Sequence, residues 1–250
     1  MARQRATLTV LRSAPLNEHL IRVHFTSEDF RPSEFSDSYV KFIFDREGGE
    51  VLRTYTIRSV DPATGEIAVD FVHHGDEGIG GPWAATVAPG ATIDVYGPGG
   101  AYSPRPDADW HLLAGDEAAL PAIAAGLEAM PATAVGLAFV EVAGPADELD
   151  LVKPEGVELI WLHRGERPAG ELLAEAVRSA SWRAGQVQVF IHGEAQAVMH
   201  DMRRYIRRER RVPAEWASSI SGYWRRGRTE EGFRTWKAEL ADAETVPVAG

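Results

Sequence analysis

A short segment that carries arginine, tyrosine and threonine is the strongest chemical signal in the sequence. Residues 53–58 read Arg-Thr-Tyr-Thr-Ile-Arg. Because successive side chains of a β-strand point to opposite faces, one face would hold an arginine beside a tyrosine. The two faces are Arg53, Tyr55 and Ile57, and Thr54, Thr56 and Arg58. Guanidinium groups bind phosphate through paired donors, and tyrosine offers a flat ring. The strand therefore suits a ligand that joins a pyrophosphate to a planar ring system. The alternative is an ordinary exposed strand.

A glycine-rich loop follows the next predicted strand. Residues 70–75 read Asp-Phe-Val-His-His-Gly, and three further glycines precede Pro82 and Trp83. A glycine-rich turn that opens a short helix presents unpaired backbone N–H groups, which favour an anion such as phosphate. The glycine spacing does not form G-x-G-x-x-G and no P-loop lysine follows, which excludes the Rossmann fingerprint and the P-loop.

The composition narrows the chemistry. The sequence has no cysteine, so any redox reaction must use a bound organic cofactor or a metal without thiolate ligands. The eight histidines form no H-x-x-x-H pair, so we expect no resident metal site. A net charge of −11 would repel nucleic acid. No apolar run reaches the roughly 20 residues of a membrane helix and the N-terminus lacks a signal peptide, so we expect a cytoplasmic protein that does not enter membranes.

The hydrophobic pattern changes once along the chain. Up to about residue 100, apolar residues recur at period two between turn residues, which predicts an antiparallel β-barrel. After the proline-containing segment 103–107, short apolar runs alternate with helical stretches, which predicts a parallel sheet covered by helices. We therefore predict a β-barrel domain over 1–104 and an α/β domain over 108–250 that ends in a helical segment.

Several motifs in combination resemble the siderophore-interacting proteins, relatives of the ferredoxin reductase superfamily. The resemblance covers most of the chain. It rests on R-x-Y-T-x-R at 53–58, D-F-V-x-H-G at 70–75, the Trp-Ala pair at 83–84, and the proline- and glycine-rich stretch 89–100. It continues in A-G-D-E-A-A-L-P-A-I at 114–123, in His-Gly-Glu at 192–194, and in S-G-Y-W-R-R-G at 221–227.

The resemblance implies an FAD site on the barrel, a Greek-key barrel in that superfamily. Arg53 would clamp the FAD pyrophosphate, Tyr55 would lie on the isoalloxazine, and Thr56 would approach its reactive edge. The other residues of the implied FAD site are Ile57, Arg58, Asp70, Phe71, Val72, His74, Gly81, Pro82 and Trp83. Relatives often have a hydroxyl residue where this chain has Gly81, so backbone donors would bind phosphate there.

The resemblance also implies a nicotinamide site on the α/β domain. The turn Gly115-Asp116-Glu117 would face nicotinamide and flavin, with Tyr55, Thr56 and Glu117 as the residues nearest the chemistry. The turn also opens a helix predicted from about Glu117 to Met130, which would place acidic residues in its first turn, and a plain helix cap is the alternative for this turn. Gly193 and Glu194 would lie on the nicotinamide path, where His192 replaces the alanine of the usual A-G-E motif. Arg164 lies at the end of a predicted strand, where a cation binds the 2'-phosphate of NADPH in such sheets, and His163 or Arg183 could assist it. We therefore favour NADPH over NADH, with a merely solvated arginine as the alternative.

Aromatic and basic residues near the C-terminus complete the implied site. Tyr223 and Trp224 would cover the flavin or line one side of a substrate pocket. The alternative is that both are buried in the core. By their charge, Arg225, Arg226 and Arg228, together with the six arginines of the run 203–211, would attract an anionic ferric chelate or the nucleotide, with the solvated face of a helix as the alternative for that run.

The implied function is that of a monomeric ferric-siderophore reductase, which passes electrons from NAD(P)H through FAD to chelated Fe(III). That route asks for no acid, base or nucleophile from the protein. The alternatives are a diaphorase with another acceptor and a non-catalytic siderophore- or flavin-binding module.

Overall fold

The computed structural model describes residues 4–75, 78–227 and 232, and its first half is a closed antiparallel barrel. The six strands lie in the order β1-β2-β5-β4-β3-β6. They are β1 (Arg5–Pro15), β2 (Leu20–Thr26), β3 (Tyr39–Arg46), β4 (Gly49–Val60), β5 (Ile67–Val72) and β6 (Thr92–Gly99). Alternate side chains such as Leu8, Phe25 and Phe71 are fully buried inside the barrel. The period-two pattern thus predicted the barrel because one face of each strand fills its interior.

The second half is a parallel five-stranded sheet with strand order β11-β10-β7-β8-β9. Its strands are β7 (Trp110–Gly115), β8 (Gly136–Val142), β9 (Val157–His163), β10 (Val187–Glu194) and β11 (Ser219–Trp224). The near-continuous burial of β7, β8 and β10 explains their unbroken apolar runs, because helices cover both faces of the sheet. The predicted fold class is therefore confirmed.

The helices pack around these sheets. They are α1 (Gly80–Thr86) over the barrel, α2 (Leu120–Ala129), α3 (Glu171–Ser179), and two π-helical segments, α4 (Gln196–Met202) and α5 (Tyr205–Glu209). The sequence predicted that α2 begins near Glu117 with acidic residues in its first turn, which is wrong. The helix begins at Leu120 with Pro121 in its first turn, a position that proline favours, and the acidic residues lie in the preceding turn.

The barrel and the sheet share apolar packing. Leu20 of the barrel and Tyr102 of the connecting segment belong to the same buried cluster as Phe190 of β10. The ring centroids of Tyr102 and Phe190 are 4.7 Å apart. Asp37 fixes the connecting segment by accepting the backbone N–H groups of Ala101 and Tyr102 at 2.7 and 2.8 Å. The domain limits 1–104 and 108–250 stay a prediction.

Two absences apply to the part of the chain that the structure describes. No helix there is both long and apolar enough to cross a membrane. No group of three or more histidine or acidic side chains there is arranged to hold a metal ion.

Candidate functional site

The arginine and tyrosine of the 53–58 segment lie half-buried on β4. The Tyr55 ring packs against Phe71, with ring centroids 4.3 Å apart, and against Phe42 at 5.7 Å. Arg53 donates from Nη1 to the carbonyl of Leu52 at 2.9 Å. Strand β4 therefore holds a supported aromatic ring and a guanidinium two residues apart, as alternation predicted.

Helix α1 approaches β4 at Gly80 and β5 at Gly81 so closely that glycine is required at both positions. A Cβ atom on Gly80 would lie 1.9 Å from the Tyr55 hydroxyl oxygen, and one on Gly81 would lie 2.7 Å from the Val72 carbonyl oxygen. The glycine at 81 thus has a packing cause in this chain. Pro82 has no N–H to offer, so the helix start presents donors only from its glycines. The Trp83 ring packs into the barrel core, parallel to Phe25 with centroids 6.3 Å apart.

Other residues of the implied FAD site have structural partners. Asp70, whose side chain is 2% exposed, accepts two hydrogen bonds from Arg22 of β2 at 2.6 and 2.8 Å. Arg58 makes a two-point ion pair with Glu128 of α2 at 2.5 and 3.0 Å, which ties the barrel to the sheet. Arg22, Asp70 and Arg58 line a crevice of about 160 Å³ between the barrel and α2.

The remaining barrel positions differ in exposure. Ile57 and Phe71 are buried in the barrel core, Val72 packs toward the cluster around α2, and His74 is exposed. Phe71 supports the Tyr55 ring and would meet a cofactor only through its backbone. These residues line different surfaces, although the sequence motif groups them.

The parallel sheet has its topological switch point between β7 and β10. The chain runs from β7 outward to β8 and β9, and then returns to β10 on the other side of β7. Ligands of such sheets bind outside the carboxyl ends of the strands at this crevice. The two glycines predicted for the nicotinamide site, Gly115 and Gly193, lie at the ends of these strands. A Cβ on Gly193, which has a φ of 144°, would lie 2.7 Å from a carboxylate oxygen of Asp116.

The end of β11 joins this edge to the barrel. The side chain of Tyr223 lies next to that of Thr56 on β4. Trp224 donates from Nε1 to Oδ2 of Asp116 at 2.7 Å. The Tyr223 ring also contacts the His192 ring, with centroids 4.4 Å apart. The dipeptide Tyr223-Trp224, which we call the strap, therefore brings the predicted flavin strand and the predicted nicotinamide turn together.

Buried carboxyl groups surround the switch point. Asp116 is 1% exposed, and burial, reinforced by the nearby charge of Glu117, raises its pKa to about 7. Glu141 of β8 is completely buried, and burial raises its pKa as well. Its carboxylate accepts the backbone N–H groups of Gly170 and Leu173 at 2.7 and 2.9 Å, so it caps the N-terminus of α3.

The predicted phosphate reader is held by an acidic residue. Arg164 follows β9, and its Nη1 atom hydrogen-bonds Oε1 of Glu117 in an ion pair of two largely buried side chains. Glu117 therefore orients the guanidinium at the carboxyl edge of the sheet. A guanidinium has five N–H donors, so this contact leaves it able to bind a further anion.

The arginines predicted to attract substrate follow the strap. Arg225 is half-buried, and Arg226 donates its backbone N–H to Glu194 at 3.3 Å and a guanidinium N–H to the Ala169 carbonyl at 3.0 Å. Glu194 is buried and also accepts the Ala197 N–H at 3.0 Å. Arg228 lies outside the described residues.

Sequence reasoning missed several residues of the site. These are Arg22, Glu128 and Glu141, each of which pairs with or caps a neighbouring element. Glu141 had a recognisable signal, because it is the one charge within the apolar run 136–142. Arg22 and Glu128 had none, because their partners are 48 and 70 residues away in sequence.

The residues on the barrel fit a flavin nucleotide. An isoalloxazine needs a flat apolar support and hydrogen-bonding groups at its edge, and its pyrophosphate needs a cation. Half-buried Tyr55, the hydroxyl of Thr56 and half-buried Arg53 supply these on one strand. The glycine-only approach of α1 at 80 and 81 keeps the helix start close beside them.

Comparisons with known families agree with this geometry. Residues 108–227 match the family described as siderophore-interacting protein. Residues 49–102 match the siderophore-interacting FAD-binding domain. The ferric vibriobactin reductase ViuB of Vibrio cholerae is 33% identical over 95% of this chain and 95% of its own length. An uncharacterized protein of Mycobacterium tuberculosis is 52% identical over 94% of this chain and 95% of its own length.

Solved structures show the same fold. A siderophore utilization protein from T. fusca superposes with a TM-score of 0.81 at 34% identity, covering 90% of this chain and 94% of that one. The siderophore-interacting protein SipS from Aeromonas hydrophila gives 0.81 at 30% identity, covering 96% and 99%. A ferredoxin reductase in carbazole 1,9a-dioxygenase gives 0.67 at 17% identity over 86% of this chain and 68% of that one, which supports the ferredoxin-reductase-like fold alone.

Proposed function

Because this chain belongs to the siderophore-interacting protein family, we propose that it is an FAD-dependent ferric-siderophore reductase that draws its electrons from NADPH. Family membership supports an FAD-containing oxidoreductase. The similar Vibrio protein is named for reduction of ferric vibriobactin, which supports a chelated ferric iron as the acceptor. Reduced nicotinamide is a cytoplasmic reductant, so we propose that the protein works there.

The observation that carries the proposal is the strap. Tyr223 reaches Thr56 on the barrel, and Trp224 reaches Asp116 at the switch point of the sheet. A flavin on β4 and a nicotinamide at the sheet edge would therefore meet beside the same dipeptide, as hydride transfer requires. Bound FAD would supply the conversion of a two-electron donor into single electrons for iron.

The residues of this chain would act by binding and positioning. Arg53 would bind the pyrophosphate, Tyr55 would support the ring, and Thr56 would face its reactive edge. Arg164, oriented by Glu117, would bind the 2'-phosphate, and Arg225 at the end of the strap would attract an anionic chelate. Their partners in the structure hold these groups in place, which is the protein's task in a cofactor-dependent reaction.

Anaerobic spectroscopy tests the proposal. Purified protein titrated with FAD should turn yellow, NADPH should bleach it, and a ferric siderophore should restore the colour while a ferrous chelator traps Fe(II). Restoration by a quinone but by no ferric chelate would instead show a diaphorase. A yellow protein that neither NADPH nor NADH bleaches would show a binding module.

The pyrophosphate contact has its own test. Arg53→Ala should weaken FAD binding by about tenfold or more, because a charge-assisted hydrogen bond contributes about 1.5 to 3 kcal/mol. Arg12→Ala is the matched control, because Arg12 is an exposed barrel arginine paired with Glu66. Wild-type FAD affinity in the Arg53 variant would refute the placement of the pyrophosphate.

A further inference from the structure

Asp116 is the acidic side chain of the cleft that accepts a hydrogen bond from the strap. Trp224 Nε1 donates to its Oδ2 at 2.7 Å, and the Ala118 N–H donates to its Oδ1 at 3.0 Å. Both donors are neutral. Among the described residues no cation pairs with Asp116, although its side chain is 1% exposed.

The neighbouring acids are each satisfied in another way. Glu117 pairs with Arg164, Glu141 accepts two backbone N–H groups at the start of α3, and Glu194 accepts the N–H groups of Ala197 and Arg226. These contacts supply each of them with a cation or with two backbone N–H groups. Asp116 instead accepts one backbone N–H and the indole N–H of Trp224, in the turn at the switch point.

The proposed reaction leaves a proton behind. One reduced nicotinamide and two ferric complexes become one oxidised nicotinamide, two ferrous complexes and one H⁺, because a hydride carries two electrons and each iron takes one. The electrons leave with the iron, but the proton must leave the cleft by another route. The sequence-based expectation that the route asks for no acid or base did not account for this proton.

We propose that Asp116 is the group that accepts this proton and passes it to water, an inference that rests on the proposed function. The proton would come from an N–H bond of the reduced flavin, which would break as an O–H bond forms on the Asp116 carboxylate, and that O–H bond would break when the proton reaches solvent. Its place beneath Trp224, at the switch point where flavin and nicotinamide would meet, puts it beside the reaction. A group that must gain and lose a proton in each cycle works best with a pKa near the ambient pH, and that of Asp116 is raised to about 7.

The titratable and charged groups around Asp116 come from every strand of the edge. They are Glu117 in the same turn, Glu141 of β8, Arg164 after β9, His192 and Glu194 of β10, and Tyr223 of β11. Glu117 and Glu141 both raise its pKa, and Trp224 lowers it by hydrogen bonding to the ionised form. The Trp224 indole is therefore a built-in reporter of the charge on Asp116.

Nitrogen-15 NMR of the full chain tests the inference without turnover. The indole N–H signal of Trp224, assigned with Trp224→Phe, should shift between pH 5 and 9 with a midpoint near that of Asp116. The shift should disappear in Asp116→Asn, whose amide oxygen can still accept the indole bond. Asp147→Asn is the control, because Asp147 is equally buried but lies beside His19, away from the strap.

A kinetic arm uses the FAD-loaded protein. Holoprotein reduced by light should be reoxidised by a ferric siderophore more slowly as pH falls below the Asp116 midpoint. Asp116→Asn should be slower by about tenfold or more at pH 8 and nearly independent of pH, since positioned proton transfer contributes about a hundredfold or more. Asp147→Asn should keep the wild-type profile.

The outcomes separate the two proposals. A wild-type protein that no ferric chelate reoxidises at any pH overturns the reductase function, and the proton role with it. Normal reoxidation combined with an unchanged pH profile in Asp116→Asn, or with an indole signal that does not titrate, overturns the role of Asp116 alone.

Discussion

Asp70 in the barrel and Asp116 at the sheet edge are the same residue type at the same depth, 4% and 1% exposed, but they have opposite surroundings. Arg22 meets Asp70 with two donors at 2.6 and 2.8 Å. Asp116 meets only an indole and an amide N–H. A buried carboxylate matched by a cation fixes two strands together, whereas one without a cation is free to change its protonation.

The difference separates the roles of the two halves. The barrel uses charged pairs, Arg22–Asp70 and Arg58–Glu128, to hold its strands and to hold the sheet. At the sheet edge, Asp116, Glu141 and Glu194 have no ion pair among the described residues, and Asp116 lies at the switch point where a ligand would bind. Perturbed carboxyl groups in a cleft are typical of functional sites, which supports our proposal that charge changes at the sheet edge during the reaction.

The largest expected effect concerns folding stability and pH. The pKa of Asp116 is raised in the folded state, so ionisation of this carboxyl group disfavours folding. The stability that the neutral carboxyl group contributes is fully present below about pH 4 and is lost as pH rises toward 7. At about 1.4 kcal/mol per unit, up to about 4 kcal/mol of unfolding free energy is at stake. Asp116→Asn should therefore be more stable than wild type at pH 8 and lose this advantage by pH 4, as measured by urea unfolding.

Asp70→Asn provides the comparison, because it removes a carboxylate that a cation satisfies. It should lower the free energy of unfolding at pH 8. If both asparagine variants changed the free energy of unfolding equally across the pH range, the proposed difference between Asp70 and Asp116 would be wrong.

The second effect breaks the barrel pair. Arg22→Ala leaves Asp70 buried without its cation, and removal of one partner of a buried pair costs about 3 kcal/mol. Arg5→Ala is the matched control, because Arg5 pairs with Asp94 on the exposed outer surface and such pairs contribute less than about 1 kcal/mol. Urea unfolding at pH 7 measures both, and similar losses in the two variants would contradict a structural role for the Arg22–Asp70 pair.

The sequence predicted the fold because hydrophobic period reports which faces are buried. Leu8 and Val10 alternate into the barrel, and the unbroken run 136–142 is buried on both faces of the sheet. Strand β11 was not predicted, since Ser219, Ser221 and Gly222 interrupt its apolar residues and it pairs with β10 through the backbone. The start of α2 was misplaced because Asp116 and Glu117 resemble helix-capping residues in sequence.

The candidate site was predicted only as a set of motifs. Their residues come together at the strap. Tyr223 lies beside Thr56, 167 residues away in sequence, and Trp224 bonds to Asp116, 108 residues away. Pairings over such distances follow from tertiary packing, which local patterns do not encode. The protonation of Asp116 is of this kind, because it depends on burial and on Glu141 from another strand.

The smallest effect concerns Glu117, which stands beside Asp116 but has a cation of its own. If Arg164 reads the 2'-phosphate, Arg164→Gln should lower kcat/KM for NADPH by about 10- to 100-fold, the effect of one lost charge-assisted hydrogen bond, and leave kcat/KM for NADH nearly unchanged. Glutamine still donates to Glu117, so the buried carboxylate keeps a partner. Arg167→Ala is the control, since Arg167 pairs with Glu175 on the surface three residues further along. An equal loss with NADPH and with NADH would show that Arg164 only neutralises Glu117 and does not bind the 2'-phosphate.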